Sequence, residues 1–221
     1  MTSTSDAEIS AAYSARADEY VALLGSVAQM DDEDRLAITA WRDSTTGTLL
    51  DAGSGPGHWT RVLSVGGRDA RGVDVTPAFV TSARSRFPGL SFEVGSFRDL
   101  PVEDASLGGI LAWYSLIHTS PGDIPAVLDE FARVLAPGGS LLVGFFDGAP
   151  GAPFAHAVTT AYTWSADALA GFLETAGFSV TATSRRDPRP GTAGPRTHGA
   201  VTAVRSDVPA GIRRNHRRAG T

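Results

Sequence analysis

The sequence predicts an α/β protein: a doubly wound, seven-stranded, mainly parallel sheet, preceded by a helical cap and ended by an antiparallel hairpin. Three observations predict it. Short apolar runs alternate with helical patterns from residue 48 to residue 146, the pitch of strand–helix–strand units with helices on both faces of a sheet. The run Leu49-Leu50-Asp51 passes directly into Ala52-Gly53-Ser54-Gly55-Pro56-Gly57 and then into a helical pattern. Such a turn aims bare backbone N–H groups at one point beyond the first strand. Two late apolar runs, 178–184 and 200–205, are joined by a Pro-, Gly- and Arg-rich stretch without helical period, as in a hairpin.

Residues 1–8 are small and polar and read as frayed. Ile9, Tyr13, Tyr20, Leu23, Leu24 and Val27 then recur at helical spacing to about Met30, with a break near 14–17. A second helix is predicted from Asp31 to Trp41, with acids at the end where the helix dipole favours them. Residues 1–43 thus form a cap over the glycine loop.

The first strand spans 48–51 and its helix 58–65; the second strand spans 70–74. Thr76 offers a capping hydroxyl and Pro77 a fixed φ, so a helix starts there and stops before Pro88. Strand three spans 90–94. Strand four, 109–114, is apolar throughout, as a sheet covered on both faces requires. A helix over 124–135 ends at Pro137-Gly138-Gly139, and strand five spans 140–146. The next stretch, 148–165, reads as a loop. Ser165 caps a helix that Gly177 closes. The hairpin completes a core domain over 44–206, and the Arg-rich 207–221, with Arg213, Arg214, Arg217 and Arg218, reads as a disordered tail.

With 221 residues, 42% of them hydrophobic and 19% charged, the chain can bury one sizeable core. No apolar run reaches the ~18–20 residues of a membrane span, and no leader-like stretch opens the chain. A cytoplasmic protein with no membrane partner is expected. Cysteine is absent, which excludes disulfides, thiolate catalysis and Cys-type zinc sites. The net charge of −5 leaves no electrostatic footprint for nucleic acid. All nineteen basic residues are arginine, so lysine chemistry is excluded too. No His-x-x-x-His pair or clustered acid triad suggests a metal.

In a doubly wound sheet, ligands bind beyond the carboxyl ends of the strands. Asp74 ends the second strand twenty-one residues after Gly53, where a carboxylate can accept hydrogen bonds from ribose hydroxyls. The spacing Gly53, Gly55, Gly57 is G-x-G-x-G, whereas the dinucleotide fingerprint is G-x-G-x-x-G. Asp51 stands where dinucleotide folds carry an apolar residue.

Five segments in order carry a resemblance: Leu50–Gly57, Gly72–Thr76, Asp99–Ser106, Leu111–His118 and Phe131–Gly139. Over about residues 9–205 the chain resembles class I S-adenosylmethionine-dependent methyltransferases, whose core is Rossmann-like. The strand end Ala112–His118 and the late Ala161–Trp164 narrow the likeness to a small actinobacterial-type subgroup whose acceptor is unidentified.

The resemblance implies roles. Gly53, Ser54, Gly55 and Gly57 line the methionine part of the donor, with Trp59 and Thr60 opening the helix beside them. Asp51 is the acid nearest the donor's ammonium. Asp74 holds the ribose, with Val75 and Thr76 beside the adenine. Ser96 stands where many relatives place an acid, so the adenine contact falls to its hydroxyl, to backbone or to Phe97. Ala112 and Trp113 approach the amino group and sulfonium, and Tyr13 and Tyr20 close over the carboxylate end. The expected cofactor is S-adenosylmethionine, the product S-adenosylhomocysteine.

Methyl transfer is an in-line displacement, so positioning and exclusion of water supply much of the rate. Aromatic faces of Trp113, Tyr114 and Tyr13 suit the sulfonium charge. A hydroxyl or amine acceptor needs a base, and His118, just beyond strand four, is either that base or a structural histidine. Tyr13, His118 and, for the acceptor, Tyr114 and His156 are the candidates. Tyr162 and Trp164 either wall the acceptor pocket or pack the last helix. His58 reads as a helix start, His198 and His216 carry no signal, and Arg196 reads as solvated or as a contact for an acidic acceptor. The expected function is methyl transfer to oxygen or nitrogen of a small molecule by a monomer or homodimer. A catalytically silent donor-binding protein and a nucleotide-binding oxidoreductase are the alternatives.

Overall fold

A computed structural model describes residues 5–188 and 196–206. The tail read as disordered lies outside the described residues. Three helices open the chain: α1 (Asp6–Ser14), α2 (Ala17–Leu24) and, after a short 3-10 turn at Val27–Gln29, α3 (Asp32–Ser44). The N-terminus is not frayed at residue 5. The Ser5 hydroxyl accepts from the Glu8 backbone N–H and the Glu8 carboxylate accepts from Ser5, a reciprocal cap that starts α1. Asp31 caps α3 by accepting from the Glu33 N–H.

The alternating core follows as β1 (Leu49–Ala52), α4 (His58–Leu63), β2 (Ala70–Asp74), α5 (Pro77–Arg86), β3 (Ser91–Val94), β4 (Leu107–Trp113), α6 (Ile124–Val134) and β5 (Leu135–Phe146). At α5 the start is set by Pro77 alone, because Thr76 makes no side-chain cap. Strand β5 begins before the Pro-Gly-Gly segment rather than after it. Its pairing with β4 jumps from Leu107↔Leu135 to Gly109↔Ser140, so residues 136–139 bulge out while the strand continues.

The stretch after β5 is a small hairpin, not a loop: β6 (Ala152–Ala155) pairs antiparallel with β7 (Thr160–Thr163). Four-residue strands, one holding Pro153, are too short for an alternation to register. Then α7 (Ala166–Thr175) leads to β8 (Phe178–Arg186) and β9 (His198–Arg205). The main sheet has seven strands in the order β3-β2-β1-β4-β5-β9-β8, with only β9 antiparallel to its neighbours. Strand order reverses between β1 and β4, which opens a crevice at their carboxyl ends.

Two apolar layers sandwich the sheet. Leu50, Ile110, Leu128, Phe131 and Leu173 pack beneath α6 and α7 on one face; Ile38, Trp41, Leu49, Leu63 and Leu111 pack beneath α3 and α4 on the other. Burying each such side chain contributes roughly 1.5–3 kcal/mol. Of the segment read as a cap, α3 belongs to this second layer, tied by the Trp41 indole N–H to Ser140 Oγ at 2.8 Å. Only α1 and α2 cross the ligand edge, and α1 has no buried residue.

Candidate active site

The glycine loop after β1 is held by the second strand. Gly53 and Ser54 N–H groups both donate to Val73 O, at 2.8 and 3.0 Å. Gly53 has φ +79° and a Cβ there would lie 2.4 Å from Ser115 Cβ, so no other residue fits. At Gly57, φ +85°, a Cβ would press on the Phe92 ring, so this glycine serves packing and does not line the crevice. At Gly55 a Cβ would meet nothing within 4 Å, which leaves open space over its backbone.

Asp74 finishes the cradle. Its carboxylate accepts from the Gly55 and Thr76 N–H groups, each at 2.8 Å, and it is 8% exposed at the crevice wall. Burial pushes its pKa up, against those two bonds.

Asp51 and Thr60 are not on that wall. Successive strand residues point to opposite faces, and Asp51 shares the face of Leu49, under α4. There the Thr60 hydroxyl donates to Asp51 Oδ2 at 2.7 Å, and burial pushes the carboxyl up to about 7. Ala112 is likewise turned into the core with Leu50.

A cavity of about 400 Å³ covers the sheet edge. Its wall includes Tyr13, Tyr20, Gly53, Ser54, Gly55, Trp59, Asp74, Val75, Thr76, Phe97, Trp113, Tyr114, His118 and His156. Of the residues expected from the sequence, Asp51, Gly57, Thr60, Ser96, Ala112 and Tyr162 are off it. Ser96 is taken up by α1: its hydroxyl donates to the Asp6 carboxylate, which also pairs with Arg98 Nε at 3.0 Å. Asp6 reaches the wall in its place. Tyr162 is buried in the small hairpin, and Trp164 packs edge-on against Phe172 of α7.

The cavity gathers Tyr13 and His118. His118 follows β4 in a 3-10 turn, and its Nδ1 lies 2.7 Å from Thr160 O. A carbonyl only accepts, so Nδ1 carries the proton and Nε2 presents a lone pair. The Tyr13 hydroxyl, brought by α1, donates to that Nε2 at 2.9 Å. Burial lowers His118 to about 4, so it is a neutral imidazole at pH 7, and burial raises Tyr13 well above the phenol range. His156 stands edge-on to His118, ring centres 5.1 Å apart.

At the other end, Tyr114 has φ +54°, rare for a bulky residue and characteristic of functional turns. Its hydroxyl bonds His198 Nδ1, and its ring lies 5.1 Å from that of Phe146. Trp113 lies across β5 opposite Gly144, where a Cβ would come within 2.7 Å of the indole. Phe146, His198, Asp6, Arg16, Phe79, Asp31 and Asp34 also line the wall, and the sequence marked none of them as a site residue. Phe146 alone carried a signal, as the last residue of strand five. Among the described residues no group of three or more His, Asp or Glu could hold a metal ion.

A family profile described as a methyltransferase domain matches residues 49–139, the span from β1 through the bulge of β5. Residues 49–139 carry a methyltransferase domain. The methyltransferase fold is shared with the 4+2 cyclase SpnF, TM-score 0.78 at 18% identity over 93% of this chain and 98% of that one. It is also shared with the 1,6-didemethyltoxoflavin-N1-methyltransferase of Burkholderia thailandensis, TM-score 0.72 at 22% identity over 94% and 93%. A malonyl-acyl-carrier-protein O-methyltransferase of Serratia marcescens is 33% identical over 94 residues, 42% of this chain and 36% of that one. The chain spans 36–50% of the first curated relatives it matches.

The crevice fits S-adenosylmethionine. Open space lies over the Gly55 backbone, Asp74 faces it, and the buried hydroxyls of Ser54 and Thr76 have no hydrogen-bond partner.

Proposed function

We propose that the chain is a methyltransferase that methylates an oxygen or nitrogen of a small-molecule acceptor and releases S-adenosylhomocysteine. The observation that carries this reading is a tautomer-fixed, neutral His118 bonded to Tyr13 in the same cavity as the glycine–Asp74 cradle. Gly53, Ser54 and Gly55 hold the methionine part, Asp74 the ribose, and Val75, Thr76 and Phe97 the adenine. When bound, the donor supplies an electrophilic methyl on a sulfonium. The Tyr13 oxygen takes the proton the acceptor loses, while its own proton passes to His118 Nε2. Tyr20, Phe79 and Tyr13 pack together at ring spacings of 5.0–5.6 Å and keep water from this point. Among the described residues, no helix is long and apolar enough to cross a membrane.

Calorimetry with S-adenosylhomocysteine tests the cradle: binding is expected, and Asp74→Ala is expected to weaken it at least about tenfold, the loss of one charge-assisted hydrogen bond. A screen of phenol, amine and carboxylate acceptors for S-adenosylhomocysteine release tests transfer. The cyclase shares this fold, and a fold does not choose a reaction. Donor binding with no release for any acceptor would therefore favour a silent donor-binding protein.

A further inference from the structure

The wall beyond the Tyr13–His118 pair has a composition that selects among acceptors. It is built from rings. Phe146 lies 6.5 Å from His156 and 5.4 Å from His198, centre to centre, and Tyr114 closes on it from the side. Burial lowers His156 and His198 as it lowers His118, so these imidazoles are uncharged at neutral pH and present flat, weakly polar faces.

Most charges on this wall are engaged by neighbours, with acids in excess. Arg16 is the single arginine among the described lining residues, and Glu19 holds it at 2.7 Å. Asp34 and Asp31 face the cavity and share Arg186 with Glu33, at 2.8, 3.4 and 3.6 Å. A carboxylate acceptor would meet these acids, while Arg196, the arginine nearest the platform, lies off the wall over the Phe154 ring at 3.7 Å. A cationic amine could approach the acids in excess of Arg186, but it would have to be desolvated among the rings to reach the Tyr13 oxygen. An uncharged ring system loses little water and gains stacking on every side.

We propose that the acceptor is a planar, uncharged aromatic molecule bearing a hydroxyl or ring N–H, seated on Phe146 and His156 with that group at the Tyr13 oxygen. This rests on the methyltransferase reading above, and it names the class of molecule that the pocket takes. The span fits: His156 touches both the His118 ring and the Phe146 ring, so one fused bicyclic molecule bridges pair and platform.

The test is binding to the protein already saturated with S-adenosylhomocysteine, using 1-naphthol, trans-aconitate and putrescine at equal concentration, followed by calorimetry. Naphthol is expected to bind at least about tenfold more tightly than either of the others. Phe146→Ala is expected to weaken naphthol about tenfold, and Phe146→Leu, which keeps the volume without the ring, nearly as much. Both variants should still bind S-adenosylhomocysteine, which certifies their fold. Saturated protein that ignores naphthol, or prefers aconitate or putrescine, overturns the aromatic acceptor. Failure to bind S-adenosylhomocysteine at all overturns the earlier reading instead.

Discussion

Tyr13 and His118 are 105 positions apart in the chain and share a hydrogen bond of 2.9 Å between the phenol and Nε2. The first sits on a surface helix, the second in a turn just beyond the middle of the sheet. Their meeting leaves His118 a neutral imidazole with its proton on Nδ1.

If that pair moves the proton, its loss shows in turnover and not in donor affinity. His118→Ala is expected to lower kcat about a hundredfold, and Tyr13→Phe about tenfold. The Kd for S-adenosylhomocysteine should change less than about threefold for both. Equal losses in kcat and in donor affinity would make the pair a structural tie.

Acid stability carries opposing contributions whose signs can be separated. His58 and His118 fall from 6.5 to about 4 in the fold, each chiefly by burial. Between those values the unfolded chain binds protons that the folded one refuses, so stability is lost as pH drops toward 4. Asp51 is the reverse. It rises from 3.8 to about 7, the folded chain holds the extra proton, and its contribution grows as pH falls. Asp51→Asn should therefore make stability fall more steeply from pH 7 to about 4, by on the order of a few kcal/mol. Urea unfolding across that range measures it; a flatter curve refutes the assignment.

Gly144 makes room for an aromatic wall. Gly144→Ala would put a methyl 2.7 Å from the indole of Trp113, which lines the cavity. A cost of about 1–3 kcal/mol is expected from overpacking, with a shifted Trp113 emission and weaker donor binding. Unchanged emission and unchanged affinity would show that the strand absorbs the methyl.

Asp6 ties α1 to the segment after β3 through Ser96 and Arg98. Both partners are partly exposed, so Asp6→Ala should cost less than about 1 kcal/mol of global stability. It should nonetheless speed release of S-adenosylhomocysteine several-fold in stopped flow and expose α1 to protease. A release rate like that of the native chain would mean that this tie does not gate exit.

Much of the framework is legible in the sequence because it is local. Gly53 and Gly57 need left-handed backbone, Asp74 ends an apolar run, and strand and helix periods alternate around them. What is not legible is which way a side chain turns and what arrives from elsewhere. Asp51 has the right type and position for the donor, yet the pleat of β1 sends it beneath α4 to Thr60. Ser96 looks like a lost acid, yet α1 returns a carboxylate to the same place from ninety residues away. His198 gives no hint in its own neighbourhood, since its role comes from the register of β9 against β5 and from Tyr114. The β6–β7 hairpin stays hidden because four-residue strands around Pro153 leave no readable period.

Helix α1 fully buries none of its residues and is fastened by a few side chains: Asp6 at Ser96 and Arg98, Ser10 at the Val75 carbonyl, and half-buried Tyr13 at His118. It is thus among the least costly parts of the molecule to lift away. If Tyr13 handles the proton as proposed, the piece that lifts away also carries half of that machinery. Whenever this door stands ajar the tool is dismantled, so an enzyme built this way cannot fire on a half-filled chamber.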